Sequence, residues 1–289
     1  MSEFDKRLTP ARPDLADETL RGKVEAARYV TGVDRVVAWP SGPLHRNPVP
    51  DAPLDTEALM GETVTVYEER EGWSWVQLKE DGYVGYMPSE ALGPPGAPPT
   101  HRVTALRTFV YPGPDLKLPP RLHLSLAAAV TVSGASGDYS RLASGGFVWS
   151  GHLAPLGQHE RDFAAVAERL VGTPYLWGGK TSLGLDCSGL VQLSLAMAGI
   201  TAPRDTDMQE AALGTAINLS PDLSGSQRGD LVFWRGHVGI LLDAARLLHA
   251  NGHHMAVAIE PLAEAEARIR ANTFGPITAV KRLDRLGAQ

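Results

Sequence analysis

The chain has 289 residues, 43% of them apolar and 21% charged, with a formal net charge of −6. That length holds two or three domains with real cores, and the acidic balance excludes a general nucleic-acid binder and tight adhesion to anionic membranes. No eighteen consecutive residues are apolar, so no membrane-spanning helix is expected; a charged start, Met1 to Leu8, and a single cysteine lead to the expectation of a cytoplasmic protein.

Residues 1–35 open Pro/Asp-rich, and Glu18 to Tyr29 predicts a short amphipathic helix packed on the body. Over 36–94 short β-rich runs take over: Val36 to Trp39, Thr63 to Tyr67, Trp73 to Leu78 and Tyr83 to Met87. Their alternation, with Asp81-Gly82 between the last two, predicts a small antiparallel barrel. Pro94-Pro95-Gly96-Ala97-Pro98-Pro99 reads as a semi-rigid linker. A second β-rich block spans 100–156, with runs at Thr100 to Val110, Ala129 to Ser133, Tyr139 to Leu142 and Gly145 to Trp149. From Glu160 the pattern turns helical, with Phe163, Val166, Ala167, Leu170 and Val171 on one face. The apolar run Leu190 to Ala198 predicts a buried helix that begins at Cys187. Three strands are expected after it: Gly229 to Trp234, His237 to Leu242 and Arg246 to Ala250.

Cys187 sits in Asp186-Cys187-Ser188-Gly189 and has no second cysteine to pair with. It is either a core residue or a nucleophile. The first turn of a helix offers free N–H groups and a positive dipole end, which would lower its pKa. His237 and His249 lie twelve residues apart on consecutive strands and can share a face. Thiol, histidine base and a second polar residue that orients the base form a triad with sulfur as nucleophile. Asn251 takes the third place if the strand register is shifted. The group His249, His253 and His254 does not read as a zinc site, because Gly252 interrupts any helix and no cysteine or acidic partner has ligand spacing. No metal and no cofactor are expected.

Six blocks then resemble, in order, the NlpC/P60 family of papain-like cysteine peptidases: Gly172 to Gly179, Asp186 to Val191, Pro203 to Thr206, Gly229 to Phe233, Gly236 to Ile240, and Leu248 to Ala250. The resemblance covers 160–285. It implies an α+β papain-like domain with Cys187 as nucleophile, His237 as general base, His249 as third member and Tyr175 beside the oxyanion. Asp186 and Ser188 match substrate contacts, and Arg204, which the residues alone read as part of an ordinary turn, lies near the cleft. The two β-rich blocks resemble bacterial SH3 (SH3b) domains, so the fold expected is multidomain: two small all-β SH3-like barrels, 36–94 and 100–156, then the α+β domain. That order resembles murein-peptide endopeptidases that cut after γ-D-glutamate. It implies a peptidoglycan-derived peptide as substrate, a role in wall-peptide recycling, Glu62 as the carboxylate for a free N-terminal L-alanine, and Tyr83 and Tyr86 as further contacts. No obligate protein partner is implied, and the diamino acid stays open. Two other readings remain: an amidase or acyltransferase on the same fold, or a wall-binding module with weak catalysis.

Overall fold

Alternation of inward and outward side chains builds the N-terminal part of the chain. The computed structural model describes residues 4–218 and 225–283, and the chain divides into two compact units, Met1–Leu156 and Gly157–Gln289. The expected end of the last domain, residue 285, lies outside the described residues. In the first unit, seven strands form one sheet in the order Leu54–Leu59, Ser41–His45, Val84–Pro88, Trp73–Leu78, Thr63–Arg70, Val33–Val37 and Leu92–Gly93. Every pairing in it is antiparallel. Val37, Leu44, Val64, Val76, Leu78 and Met87 close its core. The Asp81-Gly82 turn is present as expected, with Gly82 at φ 78 and the Asp81 carboxylate accepting the Tyr83 N–H at 3.1 Å.

Two expectations for the barrel and its N-terminal segment are corrected. The helix read from Glu18 to Tyr29 is one 3-10 turn, Glu18–Leu20, capped by Asp17. Gly22 then takes φ 78, and Tyr29–Val30 pairs as an extended strand with Ala16–Asp17. Tyr83 is no ligand contact: it is 3% exposed and belongs to the barrel core. Tyr86 is half-buried, and its hydroxyl accepts from Arg12 at 2.8 Å. That guanidinium also lies 4.4 Å over Trp75, so these aromatics hold the N-terminal segment to the barrel.

The second β-rich block forms three smaller sheets over residues 101–155, around a core of Val103, Val110, Leu124, Val130, Leu142 and Val148. The strand expected from Thr100 to Val110 is two strands, His101–Val103 and Arg107–Val110. The block grips the turn before Thr63–Arg70: the Ala129 N–H donates to the Met60 carbonyl at 2.9 Å, and a side chain at Gly61 would overlap the Ala129 carbonyl.

In the second unit a six-stranded antiparallel sheet carries the helices. Its strands are β1 (Thr215–Ala216), β2 (Leu231–Trp234), β3 (His237–Leu241), β4 (Arg246–Asn251), β5 (Ala256–Pro261) and β6 (Ala279–Arg282), in the order β1-β6-β2-β3-β4-β5. The helices are α1 (Phe163–Arg169), α2 (Cys187–Met197), α3 (Thr206–Ala212) and α4 (Leu262–Asn272). Apolar on nearly every side, α2 is buried along its length, as such a helix must be, and it packs across β3 and β4. Leu262, Ala265 and Ile269 of α4 pack on Val232, Trp234, Leu241 and Leu247 of the sheet. Helices on an antiparallel sheet, with Cys187 opening the central helix, are what the sequence predicts.

Candidate active site

The turn that presents Cys187 is held by one buried ion pair. Asp186, extended at φ −95 and ψ 179, caps α2 by accepting the Gly189 N–H at 2.7 Å. Its other oxygen accepts the Gly178 N–H at 2.9 Å. Arg204, 1% exposed, grips both oxygens at 3.0 and 2.7 Å and also donates to the Ser188 hydroxyl at 2.8 Å. Asp186, Ser188 and Arg204 thus bind one another and fix the turn that carries Cys187. Gly189 completes it, because a Cβ there would overlap the Gly179 carbonyl oxygen.

Cys187 is 7% exposed, with its sulfur 3.8 Å from the Thr206 hydroxyl. Burial, then the Asp186 charge, push the thiol up to about 11, against the hydrogen bonds of Thr206 and of the Val238 backbone N–H. This reverses the expectation of a lowered pKa. The helix-end effect is small beside desolvation, and the cap that completes this helix is itself an anion. Tyr175 is half-buried in the segment before the nucleophile. Burial and the nearby Cys187 and Asp186 push its phenol well above the ordinary range, so it remains a donor at neutral pH.

His237 opens β3 directly before Val238, whose N–H meets the sulfur. Its Nε2 lies 2.7 Å from His249 Nδ1. Phe274 stacks on the ring at 5.4 Å and 7°, and Trp234 lies tilted at 5.6 Å. Burial, reinforced by His249 and Arg268, pushes His237 down to about 3. His249 is fully buried on β4, and burial holds it below its ordinary value too. The register places His249, not Asn251, beside the His237 ring: Asn251 uses its side chain on the His249 carbonyl at 3.5 Å and the His254 N–H at 2.8 Å. Gly239 sits close beside the pair: a Cβ there would stand 3.2 Å from His249 Cβ and would require the Leu247 side chain to shift.

The sequence reading missed four neighbours. Thr206 appeared only as a turn residue. Phe274 follows α4 and carries no local signal. Glu260 on β5 and Arg268 on α4 were unremarked, although a carboxylate directly after the apolar run Ala256 to Ile259 is a cue. Glu260 lies 2.6 Å from His249 Nε2. Among the described residues no group of three or more His, Cys, Asp or Glu is placed to hold a metal ion. Glu62 lies in the other unit, in the Met60-Gly61-Glu62 turn, and is half-buried.

Residues 172–272 match the NlpC/P60 family, and residues 44–92 match the bacterial dipeptidyl-peptidase SH3 domain. The gamma-D-glutamyl-L-lysine dipeptidyl-peptidase of Bacillus cereus is 27% identical over 241 residues, 72% of this chain and 71% of that protein. Dipeptidyl-peptidase 6 of Lysinibacillus sphaericus is 32% identical over 153 residues, 50% of this chain, which spans about half of that relative's length (55%). The crystal structure of an NlpC/P60 family protein from Bacillus cereus superposes with a TM-score of 0.71 at 20% identity, over 86% of this chain and 99% of that one; it shares the fold. The C-terminal unit therefore belongs to the NlpC/P60 family, is preceded by a bacterial SH3 domain, and gives the chain a cysteine-type peptidase activity.

Proposed function

We propose that the chain hydrolyses the γ-D-glutamyl–diamino-acid amide bond of peptidoglycan-derived peptides, preferring short fragments with a free N-terminal L-alanine. The names of its relatives support the substrate class. The observation that carries the chemistry is the His237–His249 pair at 2.7 Å, on a strand whose next N–H meets the Cys187 sulfur. In this reading His237 takes the thiol proton as the sulfur attacks the amide carbon. The Cys187 N–H and the Tyr175 hydroxyl hold the oxyanion, each such donor contributing about 3 kcal/mol. The tetrahedral adduct then expels the amine, which takes the proton from His237. Water, deprotonated by His237, cleaves the thioester and restores the thiol. The proposal extends to Glu62 as the carboxylate for the free amine, to residues 100–156 as a second SH3b domain bracing the Glu62 turn, and to a recycling role in the cytoplasm.

Mass spectrometry of products tests it, with L-Ala-γ-D-Glu carrying diaminopimelate or L-lysine, each beside its N-acetylated form, and Cys187→Ala as control. Release of L-Ala-γ-D-Glu from the free-amine peptides alone is the expected outcome. Equal cleavage of the acetylated forms removes the role given to Glu62. No cleavage of any peptide overturns the substrate assignment and favours an amidase or a binding module.

A further inference from the structure

A carboxylate stands behind the two histidines. Glu260 Oε1 lies 2.6 Å from His249 Nε2 and 2.6 Å from Arg268 Nη2, and its Oε2 lies 2.7 Å from Arg268 Nη1. It is 8% exposed. The groups facing it are His249 from β4, Arg268 from α4 and, at 3.8 Å, His254 from the turn between β4 and β5. A forked guanidinium on both oxygens is the geometry of an ionised carboxylate. Burial raises the Glu260 pKa, and the His249 and Arg268 hydrogen bonds outweigh it, leaving the group well below the usual carboxylate range. Glu260 can therefore only accept, and His249 Nε2 must carry a proton.

The consequence runs ring to ring. A neutral imidazole with its proton on Nε2 has a lone pair on Nδ1. The 2.7 Å bond to His237 then has one possible direction, with His237 Nε2–H donating to His249 Nδ1. His237 Nδ1 is left without a proton, which is what a general base needs. Move the His249 proton to Nδ1 and the order inverts: His237 must accept on Nε2, carries its proton on Nδ1, and has no base to offer the thiol. The environment of the outer nitrogen decides between the two tautomers, and here that environment is Glu260.

We propose that Glu260, clamped by Arg268, is a positioning residue that sets the tautomer of His249 and, through it, of His237, so that His237 Nδ1 is the free base. The proposal rests on the reading of Cys187 and His237 as nucleophile and base. Arg268 keeps the carboxylate ionised and aimed. Without the fork, Glu260 could rotate toward His254 or take up a proton and become a donor, which reverses the chain of hydrogen bonds.

The test is nitrogen NMR of 15N-histidine-labelled full-length protein at neutral pH, together with steady-state kinetics, for the wild type and Glu260→Gln. The expected wild-type spectrum has both His237 and His249 protonated on Nε2. A glutamine can donate as well as accept, so the variant is expected to show mixed tautomers in both rings. Its kcat falls about 10- to 100-fold, with KM within about twofold, one ring further out than a direct tautomer change. A general loss of packing would not move the tautomers of a folded variant. Unchanged tautomers and kcat in folded Glu260→Gln overturn the proposal. If that variant does not fold, the wild type decides alone: a proton on Nδ1 of either ring overturns it. Wild-type protein with both protons on Nε2 that cleaves none of the peptides supports the positioning role and overturns only the substrate assignment.

Discussion

At the scale of single residues, the groups proposed as nucleophile and base, the Cys187 thiol and the His237 imidazole, are held neutral. Burial pushes the thiol up to about 11 and the imidazole down to about 3. The signs are opposite and reach the same end. A raised thiol pKa keeps the proton on sulfur as pH rises through neutrality, and a lowered imidazole pKa keeps the ring uncharged as pH falls through it. These directions favour a neutral thiol–imidazole pair at rest over the thiolate–imidazolium pair of a cysteine at a helix start, and in the proposed mechanism proton transfer then accompanies attack on the substrate. Cys187 is the chain's only cysteine, so protein labelled with 13C at the cysteine Cβ gives one signal. That signal is expected at the thiol position from about pH 5 to pH 9, moving toward thiolate only in strong alkali. A thiolate shift at pH 7 would sink the neutral-pair reading.

At the scale of elements, the start of α2 is held from three sides. Asp186 caps it, Arg204 fixes the cap, and Gly189 lets the Gly179 backbone lie against the first turn. Gly189→Ala forces backbone apart and is expected to cost about 1–3 kcal/mol, whereas Gly252→Ala, with nothing within 4 Å of the new methyl, stays within about 0.5 kcal/mol. Urea unfolding of the two variants checks this, and equal midpoints would remove the close-approach argument. Much of this element was legible in sequence. The apolar run from Leu190 has one folding solution, a buried helix, and the cysteine before it has one place, the first turn. The strands carrying His237 and His249 were equally plain, because Val, Ile and Leu runs broken by Arg235-Gly236 and Asp243 to Ala245 admit little else. The mutual bonding of Asp186, Ser188 and Arg204 was not legible, since polar side chains read alike along the chain whatever they bind. Nor were the partners of Glu260: its place after Ala256 to Ile259 is a cue to an inward position, but nothing along the chain says that it meets His249 and Arg268. The stretch from Glu18 to Tyr29 failed for the opposite reason: it has helical spacing, but Gly22 and the pairing of Tyr29–Val30 with Ala16–Asp17 outweigh one turn of helix.

At the scale of the molecule, a catalytic unit built around two buried neutral histidines carries a dependence on acid. His237 and His249 both titrate lower in the fold than the about 6.5 of a free imidazole. Below that pH the unfolded chain takes up protons that the folded chain refuses. The stability these rings allow is therefore complete above about pH 6.5 and drains as pH falls, for His237 until about 3. His237 contributes up to about 1.4 kcal/mol per pH unit in that window, His249 acts in the same direction, and Glu260, also held low, adds to the loss below about pH 4.3. Against a typical reserve of about 5–15 kcal/mol, His237 alone removes up to about 2 kcal/mol between pH 6.5 and pH 5. The buried Cys187 thiol reports its opening separately from the β-rich unit, so pulsed alkylation in a urea series at pH 7.5, 6 and 5 measures the effect where it arises. The midpoint is expected to drop steeply across that series, and His237→Gln, which removes one titrating ring, should flatten the dependence by about 1.4 kcal/mol per pH unit. A variant with the same slope as the wild type would mean that His237 is protonated in the fold at ordinary pH, and the account of a neutral resting pair would fall with it.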